Sequence, residues 1–300
     1  MVVVIPHWSG WPGMRAARHI APVDVAVRAA IGFARHRSGR NAALLAYYGF
    51  LALFPMLLLS TAILGFVLQG RPGLQESIVD SAIAQIPVLG RQILDQSGNL
   101  EGSIAALLIG VLGALWGTTR AFAGLQDALD DIWEVEPEHR PNPVVRRVHS
   151  LVGMLAIGGG QIATVTITAI SSLPVIPDAG QILIVIGAAA VNTMVVGTML
   201  RYLTAADATW PMVWRGAVLA GVAYTVLQLI GTTVVARLLA GAQGVYGAFA
   251  SVLAVTGWLS IHASISLFAA EVNAVLASDV ETRDDRRVAS GPTEAEDVSS

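Results

Sequence analysis

Long apolar runs, rather than two- or 3.6-residue periods, dominate this chain. They cover residues 42–68, 103–117, 148–173, 181–203, 216–239 and 245–276. About 20 apolar helical residues cross a bilayer, so most of these runs suffice on their own. The pattern predicts an all-α polytopic membrane protein, a six-transmembrane-helix bundle with amphipathic surface helices. The second run is short, but Phe122, Leu125, Leu129 and Trp133 keep one face apolar beyond it. That helix is expected to continue out of the membrane, with Asp127, Asp130, Asp131 and Glu134 as its opposite, solvated face. The stretch AGAQGVYG reads as the turn into the sixth run.

Between and before the runs the pattern becomes helical and amphipathic. Apolar residues from 23 to 33 fall at helical spacing among arginines, which reads as a helix lying on the membrane surface. In the polar segment 69–102, Leu74, Ile78, Ala82 and Ile86 share one face before Pro87 breaks it. Pro174 and Pro177 make a tight turn after the third run. Within the runs, Pro55 removes one helix hydrogen bond and predicts a kink in the first span. Gly113 and Gly117 form a small-xxx-small pair suited to close helix packing. Gly158, Gly159 and Gly160 make a thin, deformable patch in the third.

Charge sets the orientation. All 18 Lys+Arg residues are arginine, and fifteen of them fall in four segments on one side of the predicted bundle. Arg71, Arg91 and Arg237 are the exceptions. By the positive-inside rule both termini are cytoplasmic. The chain then divides into a basic segment with its amphipathic helix (1–40), a six-helix membrane domain (41–277) and a charged cytoplasmic tail expected to be disordered (278–300). The apolar start is short and broken by Pro6, so no cleavable leader is expected. Apolar content of 54%, charge of 13% and a mean hydropathy of +0.65 agree with this class. No cysteine is present, so disulfides, thiolate metal sites and cysteine nucleophiles are excluded.

Few polar residues interrupt the spans, and these are the candidate site. Glu271 is the one acidic residue inside a long apolar run. A charge at mid-bilayer costs about 2.5–3.5 kcal/mol by insertion scales, less near the interface, so a partner is expected. Arg120, just past the second span, is the predicted partner at an inner mouth, because a guanidinium holds a carboxylate through two parallel bonds. Arg201 is the other arginine at that level, and an unpaired Glu271 at the interface is the simpler alternative. Asn192, Gln228, His262 and Asn273, with Gln161, are expected to line a polar cavity. Isolated Asn and Gln also bond across helices for about 0.6 kcal/mol each, so packing competes with that reading.

Four stretches carry a family resemblance, in order along the chain. They are AYYGFLALFPMLLL, LWGTTRAFAGLQDALDDIWEVE, RYLTAADATWPMVWRGAVLAG and VYGAFASVLAVTGWLSIHASISLFAAEVNAVL. Together they resemble the YihY/BrkB family of bacterial inner-membrane proteins, historically mislabelled ribonuclease BN, over roughly residues 42–276. The resemblance implies a multi-pass bacterial inner-membrane protein linked to envelope biogenesis, lipid or lipopolysaccharide handling and serum resistance.

The residues argue against the ribonuclease label. The six histidines are scattered, no HExxH or paired-Asp motif occurs, and no GxxxxGK[ST] phosphate loop is present. Neither an enzyme nor a cofactor is expected, nor a basic, aromatic groove for nucleic acid. Two readings remain: a translocator of an envelope-related lipid or small solute without its own ATPase, and a non-transporting scaffold for envelope biogenesis. The bilayer is the first partner, and a homo-oligomer is compatible with either reading.

The charge asymmetry makes a direct prediction in this cysteine-free chain. Cysteines placed at Ala84 or Ala179 should react with an impermeant thiol reagent in intact cells, and cysteines at Pro141 or Ala206 should not. Labelling of the second pair from outside would overturn the orientation.

Overall fold

The computed structural model describes residues 21–67, 104–171, 178–246 and 248–289. The expected helix within 69–102, Arg71, Arg91 and the Pro174–Pro177 turn lie outside them, as does the Gln161 side chain. The described residues form seven α-helices: α1 (Ala21–Arg35), α2 (Ser38–Val67), α3 (Ile104–Ile132), α4 (Pro143–Ser171), α5 (Asp178–Tyr202), α6 (Trp210–Tyr246) and α7 (Ala248–Ala289). A single 3-10 turn, Pro137–His139, sits between α3 and α4. Within the described residues, Leu108–Ile132, Ile182–Tyr202 and Val252–Val280 are long and apolar enough to cross a membrane.

The six long helices close into a ring, each packing on its chain neighbour, with α7 returning to α2. The short α1 lies against α7, where Phe33 meets Phe268 with ring centroids 6.3 Å apart. The amphipathic helix expected near residues 23–33 therefore exists, and its apolar face is spent on the bundle. Large apolar side chains such as Leu155, Ile182, Leu183 and Ile186 point outward and are exposed. An apolar exterior of this extent suits lipid as solvent and not water. The buried core instead gathers Leu129, Leu200, Leu203, Val213 and Leu267, with Phe122 and Val196 beside them.

Two boundaries differ from the sequence pattern. Helix α6 runs on to Tyr246 through most of the stretch read as a turn, because AGAQGVY contains no proline to stop it. Helix α7 continues past Leu276 to Ala289 into the segment expected to be disordered. Its first exposed turn is tied down, since Arg28 of α1 donates to both carboxylate oxygens of Asp279 at 2.7 and 2.5 Å.

Helices in lipid have no hydrophobic drive toward each other, so close packing of small residues must hold the ring. The most extensive contact, α2 with α3, shows this directly. A Cβ added at Gly113 would lie 2.8 Å from Pro55 Cγ, and one at Gly117 would lie 3.0 Å from Ala52 Cβ. The glycine pair thus receives the proline ring and the alanine below it, and α2 passes through Pro55 as one helix. Gly257, by contrast, has open space around its Cβ position.

This contrast yields a paired test. Gly113→Ala and Gly257→Ala gain the same helix propensity, but only the first collides with a rigid ring. Gly113→Ala should be the less stable by about 1–3 kcal/mol in detergent melting experiments. Equal melting temperatures for the two variants would show that α2 and α3 do not pack through this glycine.

Candidate functional site

The candidate site forms where three helix ends meet the buried carboxylate of Glu271. Helix α1 ends at Arg35, and residues 36–37 turn the chain into α2. Arg37 adopts a left-handed backbone (φ 54°) to make that turn, and Glu134, just past α3, does the same (φ 52°). Glu134 and His36, the residue before Arg37, line one cleft of about 450 Å³, walled by α1, the end of α3 and the inner face of α7.

Glu271 is 2% exposed and is held from one side only. Its Oε1 lies 3.0 Å from His36 Nδ1 and accepts a hydrogen bond of 3.1 Å from the Ser38 hydroxyl. Its Oε2 is pressed against Gly32, where a Cβ would overlap the oxygen. Glycine at residue 32 thus lets α1 lie directly on the carboxylate, and a Cβ there would displace the Glu271 side chain. The other ring nitrogen of His36, Nε2, faces Glu134 Oε1 at 3.7 Å, and Arg35 bonds to the same Glu134 oxygen. One imidazole, 12% exposed, thus stands between a buried carboxylate and a solvent-facing one. Nε2 also accepts a hydrogen bond from Arg35 Nε at 3.3 Å, which leaves Nδ1–H to donate to Glu271.

A second pair of contacts holds α1 in place. Arg28 binds Asp279 through two parallel bonds, and its Nε lies 2.9 Å from Asp24 one turn earlier. The bond to Asp279 raises the Arg28 pKa still further, which keeps this clamp charged. Trp133 lines the same cleft, and its buried indole N–H has no hydrogen-bond partner among the described residues.

The acidic face of α3 is a docking hub more than a solvated surface. Asp127 pairs with Arg146 at 2.6 Å and Asp131 with Arg140 at 2.8 Å. Asp130, expected to face water, is 1% exposed. It accepts bonds from Ala205 N at 2.6 Å and from the Thr204 hydroxyl at 3.3 Å, so it fastens the α5–α6 connection to α3. Among the described residues no three His, Asp or Glu side chains converge as a metal site.

The other predicted residues fall in separate places. Arg120 lies on the exposed face of α3 and makes no ion pair or hydrogen bond with Glu271, so the expected pairing does not form. The buried face of α3 is built from Leu125, Leu129 and Ile132, which leaves Arg120 pointing away from the bundle. Arg201 does not reach Glu271 either, since its guanidinium stacks on Tyr202 and Trp210. Asn192 and Gln228 do come together, with Asn192 Nδ2 donating to Gln228 Oε1 at 3.3 Å and to the Thr225 hydroxyl at 3.1 Å. His262 is boxed by the rings of Tyr224 and Trp258 at 4.7 and 5.0 Å, with Nδ1 3.0 Å from the Trp258 carbonyl. Asn273 is fully buried and clamps α6 to α7, donating to Val213 O at 3.0 Å and accepting from Gly216 N at 2.7 Å. None of these four lines the cleft that Glu271 lines.

Sequence reasoning missed His36, Ser38 and Gly32. They sit in the arginine-rich flank, where a histidine reads as one more basic residue, 235 positions from its partner. The faint signal was a glycine one helical turn before His36, with Ser38 two residues on.

Comparison with known proteins points to a bacterial inner-membrane family. The Escherichia coli K12 inner membrane protein YhjD is 23% identical over 290 residues, covering 87% of this chain and 82% of that protein. An uncharacterized protein of Dickeya dadantii strain 3937 is 23% identical over 170 residues, covering 54% of this chain and 51% of its own length. No solved structure matches the chain. Residues 29–292, from α1 to just beyond the end of α7, match the family described as virulence factor BrkB. This integral inner-membrane chain therefore belongs to the BrkB/YihY family.

Proposed function

We propose that the protein is a translocator of an envelope-related lipid or small solute, driven without an ATPase of its own. In this reading six helices cross the inner membrane and both termini are cytoplasmic. The observation that carries it is Glu271, a nearly buried carboxylate facing a cleft and held by a histidine in the turn between α1 and α2. Burying an unpaired carboxylate costs several kcal/mol, so the charge of Glu271 and the position of α1 are linked. When His36 withdraws, Glu271 must take up a proton or water must enter. Either event opens the end of the ring that α1 covers. Helix α1 then acts as a lid whose closed state is the one seen here.

The scaffold reading has its own observation. Asn192, Gln228 and Asn273 are satisfied by neighbouring helices, and His262 is boxed by aromatic rings, as in a packed interior rather than a channel wall. On that reading the paired charges around α3 hold a surface for envelope-synthesis partners.

Two measurements separate these readings. Vesicles containing the full chain should move a fluorescent phospholipid or release a trapped small solute faster than protein-free vesicles, and Glu271→Gln should change that rate. Vesicles indistinguishable from protein-free ones for both probes would favour the scaffold. The lid geometry is checked by a double-mutant cycle on membrane-inserted protein. Glu271→Gln and His36→Gln should each destabilise, with up to about 3–5 kcal/mol for losing one partner of a buried pair. The double variant should cost clearly less than the sum, and additive losses would mean the two side chains are uncoupled.

A further inference from the structure

The α5–α6 corner carries a second constellation that the translocation reading does not use. The segment RYLTAADATWPMVWR places Arg201, Tyr202, Trp210, Trp214 and Arg215 around one helix–helix connection. The Arg201 guanidinium lies 5.0 Å from the centre of the Tyr202 ring and 5.3 Å from that of Trp210. Arg215 stacks in the same way on Trp214, at 5.6 Å. Trp210 is a fixed platform, because its ring edge lies over Gly197, where a Cβ would come within 2.9 Å of it.

The charges here differ from those around Glu271. Arg28, Arg35, Arg140 and Arg146 are each paired with a carboxylate. Among the described residues Arg201 and Arg215, like Arg37, Arg40, Arg120 and Arg147, have no such pair, and what sets these two apart is the aromatic ring under each. A guanidinium held over aromatic rings without a carboxylate partner has N–H donors that match the oxygens of a phosphate.

The surroundings say what kind of phosphate would fit. Tyr202 ends a helix stretch long and apolar enough to cross the membrane. On α5, Ile182, Ile186 and Met194 form an exposed stripe at helical spacing that leads to Tyr202. On α6, Val218, Val222 and Val226 form another that leads away from Trp214. The two helices pack side by side, and a short connection joins the α5 end at Tyr202 to the α6 start at Trp210. Aromatic rings and arginines at the end of apolar stripes sit at headgroup depth.

We propose that this corner binds the phosphate headgroup of an anionic glycerophospholipid, with Arg201 and Arg215 on the phosphate and the acyl chains along the α5 and α6 stripes. The site would seat a specific lipid against the bundle from outside, independent of any path through it.

The test uses the full chain purified in detergent and native mass spectrometry with phosphatidylglycerol and phosphatidylcholine of matched chains. The wild type should retain phosphatidylglycerol in preference. Arg201→Gln and Arg215→Gln should each weaken that retention about fivefold, the worth of one arginine at an anionic membrane surface. Arg201→Lys should keep part of it, and Arg120→Gln, an exposed arginine on α3, should leave it unchanged. If Arg201→Gln fails to fold, Arg215→Gln still decides the matter, since Arg215 is exposed and holds no helix contact in place by an ion pair. Equal retention of the two lipids, unaltered retention in the glutamine variants, or an equal loss in Arg120→Gln would overturn the site. Displacement of the lipid by millimolar inorganic phosphate would reassign it to a soluble anion and overturn the lipid proposal.

Discussion

A carboxylate taken out of water must be compensated, and much of one end of this protein is arranged around that requirement at Glu271. Removing both water and partner from such a group costs several kcal/mol, more than most single helix contacts supply. Compensation comes from His36 and Ser38, which belong to the turn joining α1 to α2. Those two groups reach it with α1 lying against α7, Gly32 next to the carboxylate and Arg37 in a left-handed conformation at the corner. The Arg28–Asp279 clamp then fixes the far part of α1. One buried charge therefore dictates the path of about the first twenty described residues.

The same end of the ring is fastened by a second set of charges on α3. Its carboxylates reach α1, the α3–α4 connection, the start of α4 and the α5–α6 connection. This division of labour follows from the solvent. Inside lipid the helices hold by glycine and alanine contacts and a few buried amide bonds, since apolar surfaces gain nothing by leaving lipid tails. At the polar end, electrostatics can be strong and specific, so ion pairs and caps bind the loops. His36 belongs to both systems, with one nitrogen on Glu271 and the other facing Glu134. This residue therefore joins α1, α3 and α7.

Much of this was legible in the chain. Runs of apolar residues name membrane helices because backbone groups in lipid must be satisfied within the helix, which leaves few alternatives. The Gly113–Gly117 pair names a close contact because nothing larger would fit there, and Pro55 and Ala52 indeed occupy it. Glu271 stood out as a costly residue in need of a partner. These features are local or depend only on the solvent, so a sequence by itself determines them. The choice of partner is different. Arg120 was the stronger acid-binding group, at a similar predicted depth, yet it turns outward because α3 presents Leu125, Leu129 and Ile132 inward. Asp130 and Asp131 are adjacent in the chain, yet one is buried under a loop 75 residues away and the other meets Arg140 at the surface. Rotation of each helix about its axis, and the order in which helices close the ring, are collective outcomes of packing. Only the tertiary structure decided those, because a helix turns 100° per residue and a single position's chemistry does not say which neighbour it will meet.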